Sequence, residues 1–96
     1  ISNISHKQFE NYIENIKLNK IHEAIDILYY IYDYGYSVID ILDMFFSFVK
    51  TTQHLDEEQK YKILPILCKY ITYFHSLHED VVEIAIFTQE IYDIIR

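Results

Sequence analysis

The residues with the most chemical potential lie in one short run, His75-Ser76-Leu77-His78-Glu79. Two histidines three apart with a glutamate beside them could give a metal ion two or three ligands, because imidazole nitrogen and carboxylate oxygen both bind zinc. A small metal-dependent hydrolase is the activity such a set would serve. The set lacks a partner pair, however, since His6, His22 and His54 are scattered along the chain. The run also falls where a long helix is predicted to end. There the helix dipole favours a histidine, and His78 and Glu79 simply fill the turn. Cys68 and His75 are seven apart and share a helix face if Pro65 leaves that stretch regular. Two helical turns put them roughly 10 Å apart, too far for direct proton transfer from thiol to imidazole. Cys68 is therefore expected to be a buried, inert thiol. The carboxylate pairs Asp40/Asp43 and Glu57/Glu58 read as solvated helix faces or partners of helix N-termini. A phosphate cradle is excluded, because a Walker loop needs several glycines and Gly35 is the only one. No catalytic, cofactor-binding or metal-binding residue is expected.

Composition narrows the class further. Ninety-six residues, 51% apolar and 24% charged, predict one helical domain over 1–96 rather than a disordered tail. No apolar run approaches the roughly 18 to 20 residues that cross a bilayer, and no membrane partner is expected. The first twenty residues are polar and amphipathic, unlike a signal peptide. The chain does not begin with Met, so a piece of a longer protein is expected. Cys68 has no internal disulfide partner, which predicts a reducing, intracellular setting. The net charge of −7 argues against direct DNA binding, which draws its affinity from Lys and Arg on phosphates. Lys60, Lys62 and Lys69 share one segment, but Asp56, Glu57 and Glu58 beside them blunt any basic patch.

The apolar spacing predicts an all-α bundle of five helices and no strands. The first covers about 5–17, with Ser5 and Gln8 as a capping box and Phe9, Tyr12, Ile13 and Ile16 on its apolar face. Asn19 can cap the second, about 20–34, where Ile21, Ala24, Ile25, Leu28, Ile31 and Tyr32 recur on one face. The third, about 38–52, buries Leu42, Phe45, Phe46 and Val49. The fourth starts at Asp56, with Gln59 three residues on, and reaches about 76. Pro65 interrupts it and predicts a kink or break, because proline lacks the N–H for the Tyr61 carbonyl and crowds it. The last covers about 80–95, with Ile84, Ala85, Phe87, Ile91 and Ile95 inward.

The sharpest local signal is Gly35-Tyr36-Ser37. Gly35 fits the left-handed position just past a helix end, with Tyr36 folding back on Ile31. Ser37 can then cap the third helix, and Asp40 three residues on can close a capping box. One helix stops and the next starts within three residues.

His22-Glu23-Ala24-Ile25-Asp26-Ile27-Leu28, then Gly35-Tyr36-Ser37-Val38-Ile39-Asp40-Ile41, then Phe46 and Lys50-Thr51, resembles the C-terminal collar domain of replication factor C small subunits. The resemblance covers roughly residues 20–63. Two positions depart from it: Val38 stands where the family commonly has Pro, and Ser47 where it often has Arg. The resemblance implies an oligomerisation domain that follows an AAA+ ATPase module. Five such domains would close a ring and hold a nuclear clamp loader together for DNA replication. It implies other replication factor C subunits as partners, with the sliding clamp and DNA met only through the full complex. ATP and Mg would belong to the preceding module, and none is expected on these residues. A different reading is a groove protein resembling viral apoptosis regulators, which would bind an amphipathic partner helix.

Helices two and three are apolar on more than one face. A ring subunit touches two neighbours through different surfaces, so aromatics off the main stripes are the expected contacts. Tyr30, Tyr34, Phe48 and Tyr73 are these candidates, and a contiguous exposed apolar patch should contain them.

Overall fold

The computed structural model describes residues 6–76 and 81–96, with their side chains except those of His75 and Ser76. Five helices follow one another: α1 (His6–Lys17), α2 (Ile21–Tyr34), α3 (Val38–Thr51), α4 (Glu57–Ser76) and α5 (Val82–Ile95). The described residues contain no strand, so the fold is the all-α bundle the spacing predicts. Ser5, His78 and Glu79 fall outside the described residues, as does the side chain of His75.

Each corner has its own local cause. Asn19 was expected to cap α2, but it closes α1 instead. It takes φ 63°, its N–H donates to the Ile16 carbonyl (3.0 Å), and the Lys20 N–H reaches the Asn15 carbonyl (2.7 Å). This paired pattern satisfies two of the free carbonyls at a helix end, and Asn is the non-glycine residue best able to adopt it. The Asn19 side chain is engaged elsewhere, its Oδ1 accepting from the Tyr92 hydroxyl at 2.7 Å. Arg96 reinforces that junction by donating to the Lys17 carbonyl at 2.6 Å. The last turn of α5 is thereby fastened to the α1–α2 corner.

The second corner turns on Gly35, at φ 129° and ψ 1°, with its N–H on the Tyr32 carbonyl at 3.0 Å. Ser37 is extended (φ −73°, ψ 162°) and its Oγ accepts from the Asp40 N–H at 3.1 Å. Tyr36 stacks on Tyr34, with ring centroids 6.3 Å apart. The third corner carries a reciprocal capping box. Asp56 Oδ1 accepts from the Gln59 N–H (2.8 Å), and Gln59 Oε1 accepts from the Asp56 N–H (2.9 Å). The expected break at Pro65 is absent, because α4 runs on through it. Pro65 and Tyr61 both face solvent, so water can serve the carbonyl that proline leaves without a donor.

α1 packs mainly on α2 and α3 on α4, while α5 lies against α2 and α4. Aromatic rings join these pairs. The Phe45 ring centroid lies 5.2 Å from Phe9, 5.4 Å from Tyr12, 5.7 Å from Phe48 and 6.0 Å from Phe87. Tyr70 meets Phe87 at 5.5 Å and so brings α4 into the same cluster. Thr88 is fully buried on α5 and resolves a polar problem inside this core. It donates to the Ile84 carbonyl and accepts from the Tyr12 hydroxyl, both at 2.8 Å. Burial pushes the Tyr12 phenol above its ordinary range, so it stays a neutral donor.

Two outcomes follow for stability. A Cβ at position 35 would meet no atom within 4 Å, so Gly35→Ala carries only the backbone cost. In urea unfolding it should lose about 1 kcal/mol or somewhat more, and Gly35→Asn less. Phe48→Ala removes a buried ring and should cost about 3–5 kcal/mol in the same measurement.

Candidate subunit interface

α2 presents two opposed faces. Ala24, Leu28 and Ile31 are buried against the other helices, whereas Tyr30 and Tyr34, four residues apart, point outward. Tyr30 is 63% exposed and Tyr34 65%. Glu23, Asp26 and Asp33 are exposed on the same arc, at helical spacing from the two tyrosines. Tyr36 extends the aromatic surface across the corner by its stack on Tyr34. Tyr32, expected on the buried stripe, sits at its edge and is exposed.

A second surface forms where α4 meets α5. Tyr73 is 47% exposed and lines a groove of about 240 Å³ with Lys69, Tyr70 and Glu83. The Tyr70 hydroxyl donates to the Glu90 carboxylate, which also receives Lys69 at 3.4 Å. Burial and that carboxylate together raise the Tyr70 phenol. Val82 and Ile86 are each about half exposed on α5. The sequence reading passed over this pair, although their i, i+4 spacing opposite Ile84, Phe87 and Ile91 was a usable sign.

Of the four interface candidates, Tyr30, Tyr34 and Tyr73 lie at the surface and on different faces. Phe48 does not. It is 1% exposed and packs on Phe9 and Phe45, with His6 at its edge (5.6 Å). α1 covers the side of α3 that helical spacing alone left open. The Gly35, Tyr36, Ser37 and Asp40 corner sits at the end of α2 beside Tyr34 and fixes the path into α3.

The metal set His75, His78 and Glu79 and the Cys68–His75 pair rest on side chains outside the described residues. Among the described residues, no group of three or more His, Cys, Asp or Glu could hold a metal. Cys68 is exposed rather than buried, because it falls on the solvent side of α4 beside Lys69. The three lysines of α4 are each held by a carboxylate: Lys60 by Glu57 (3.8 Å), Lys62 by Glu58 (3.3 Å) and Lys69 by Glu90. No helix among the described residues is long and apolar enough to cross a membrane.

The replication factor C C-terminal domain family matches residues 4–73, well over half of the chain. The chain belongs to that family. Neither a curated protein nor a solved structure gives a match. The matched span contains the Gly35 corner, Tyr30, Tyr34 and Tyr73, and ends before α5. At the two positions where the chain departs from the family pattern, Val38 is buried as the first residue of α3 and Ser47 is exposed. Ser37 starts α3 through its side chain without help from a proline at position 38.

One polar cluster fastens the α3–α4 connection to α1. His54 places Nδ1 3.1 Å from Glu14 Oε2 and Nε2 3.6 Å from Glu10 Oε2, beside a cleft of about 250 Å³. The hydrogen bond with His54, aided by Lys17, holds the Glu14 carboxyl below its usual value of 4.5. A depressed carboxyl stabilises the fold above its unfolded pKa and loses that contribution as pH falls through the folded value. The urea midpoints of the protein and of Glu14→Gln should therefore differ at neutral pH. The gap should shrink once pH drops below about 4.5, and a gap unchanged across that window would contradict the assigned contact.

Proposed function

We propose that this chain is the oligomerisation domain of a replication factor C small subunit, holding a pentameric clamp loader together while the sliding clamp is loaded onto primed DNA. Family membership brings the replication setting. The observation that carries the assembly role is the presence of large aromatics exposed on two separate faces: Tyr30 and Tyr34 on α2, Tyr73 on α4. Interfaces favour tyrosine because it combines a large contact area with a polar tip. A closed ring of non-identical subunits needs two different faces on each member.

On this reading the domain contributes spacing rather than chemistry. ATP and Mg are handled by an AAA+ module elsewhere in the subunit, and DNA and the clamp are met through the whole complex in the nucleus. The pairing of Lys60, Lys62 and Lys69 with carboxylates agrees with a domain that does not itself grip phosphates.

Co-expression with the other replication factor C subunits tests the proposal. The chain should co-elute with them in size exclusion. Tyr73→Asp with Ile86→Asp should weaken that association at least tenfold while leaving helicity and unfolding midpoint nearly unchanged. Failure of the unmodified chain to associate with any other subunit would overturn the oligomerisation role.

A further inference from the structure

The two exposed faces differ in charge, and the difference says what each can receive. Between Lys20 and Lys50 the sequence contains no Lys or Arg, yet it holds Glu23, Asp26, Asp33, Asp40 and Asp43. Elsewhere five acids have a lysine or histidine partner within the chain. Glu10 and Glu14 meet His54, Glu57 and Glu58 meet lysines of α4, and Glu90 meets Lys69. Glu23, Asp26 and Asp33 have no ion-pair partner among the described residues. They are exposed on the outer arc of α2, interleaved with Tyr30 and Tyr34.

That interleaving gives the surface a specific chemical preference. A tyrosine face attracts a cation, and guanidinium stacks on it flat while donating sideways to carboxylates. At 26, 30, 33 and 34 a carboxylate lies one helical turn or less from each ring, so one arginine can use both. Lysine can satisfy the charge but not the planar stack. The chain's one arginine, Arg96, is already engaged on the Lys17 carbonyl and beside the Tyr92 ring, which disfavours a second copy of this chain as the occupant. Nucleic acid is repelled by the same carboxylates.

We infer that the outer arc of α2, formed by Glu23, Asp26, Tyr30, Asp33 and Tyr34, docks an arginine-bearing basic face of a neighbouring protein subunit. This rests on the oligomerisation role proposed above and names the chemistry of one of its two contacts. The α4–α5 face with Tyr73, Val82 and Ile86 is the apolar counterpart and takes a different neighbour. Association through the α2 arc is sensitive to salt, because its exposed charges are screened over about 10 Å at 0.1 M.

The test uses the chain with the other replication factor C subunits, purified together and titrated between 50 and roughly 500 mM salt, a range that spans strong and weak screening. The combined variant Glu23→Lys, Asp26→Lys, Asp33→Lys should bind at least tenfold more weakly at low salt and lose most of the salt dependence. Glu23→Gln, Asp26→Asn, Asp33→Asn is the gentler version and should fall between it and the unmodified chain. Tyr30→Ser with Tyr34→Ser should weaken binding severalfold while leaving the salt dependence in place. Circular dichroism should show the same helicity in all of them, since every altered residue is at the surface. Unchanged affinity and salt dependence in the charge variants, while Tyr73→Asp with Ile86→Asp still disrupts the complex, would overturn the arginine-docking arc and leave the oligomerisation role standing. Failure of the unmodified chain to assemble would remove both.

Discussion

The bundle depends on the burial of one ring. Phe45 sits where α1, α3 and α5 converge, and its neighbours Phe9, Tyr12, Phe48 and Phe87 come from all three. The backbones of α1 and α3 approach each other at few points, so side-chain reach rather than close helix contact joins them. Large rings suit that task because each covers a long span while giving up few rotatable bonds. Tyr12 then needs a polar partner inside this core, and Thr88 is the residue that permits it.

The chain's charges divide the surface into regions with different tasks. Glu10 and Glu14 fasten α1 to His54, and Glu90 fastens α5 to Lys69 of α4. Glu23, Asp26 and Asp33 on α2 make no ion pair among the described residues.

Much of this was legible in the residues. Helix boundaries follow from apolar spacing together with Gly35, Ser37 and the Asp56–Gln59 box, because these are local rules with few competing solutions. Three features escaped. Asn19 could start one helix or end another, and the choice fell to Tyr92, a residue far away in the chain. Phe48 lay off the main stripe of α3, but α1 crosses there and buries it, which no single-helix pattern reveals. Whether Pro65 would break α4 or let it run on turned on its side of the helix facing water, which is a tertiary property. Of the candidate interface, the exposed tyrosines could be read from their position off the stripe. That carboxylates of α1, α4 and α5 find a cationic partner while those of α2 find none among the described residues required the folded arrangement.

The junction of Tyr92 and Arg96 with the α1–α2 corner bears on the order of folding events. α1 with α2, and α3 with α4, are neighbours in sequence and close short loops. The bonds from Tyr92 to Asn19 and from Arg96 to Lys17 join residues 73 and 79 positions apart. Loop-closure entropy rises with that separation, and contacts of high sequence separation slow the search for the native state. α5 therefore adds the contacts most distant in sequence to two hairpins that the rings of Phe9, Tyr12 and Phe45 already join. During synthesis it is also the last of the five to emerge. Until it docks, the rings around Phe45 lack Phe87, and the nascent hairpins remain open to solvent along the seam that α5 will cover.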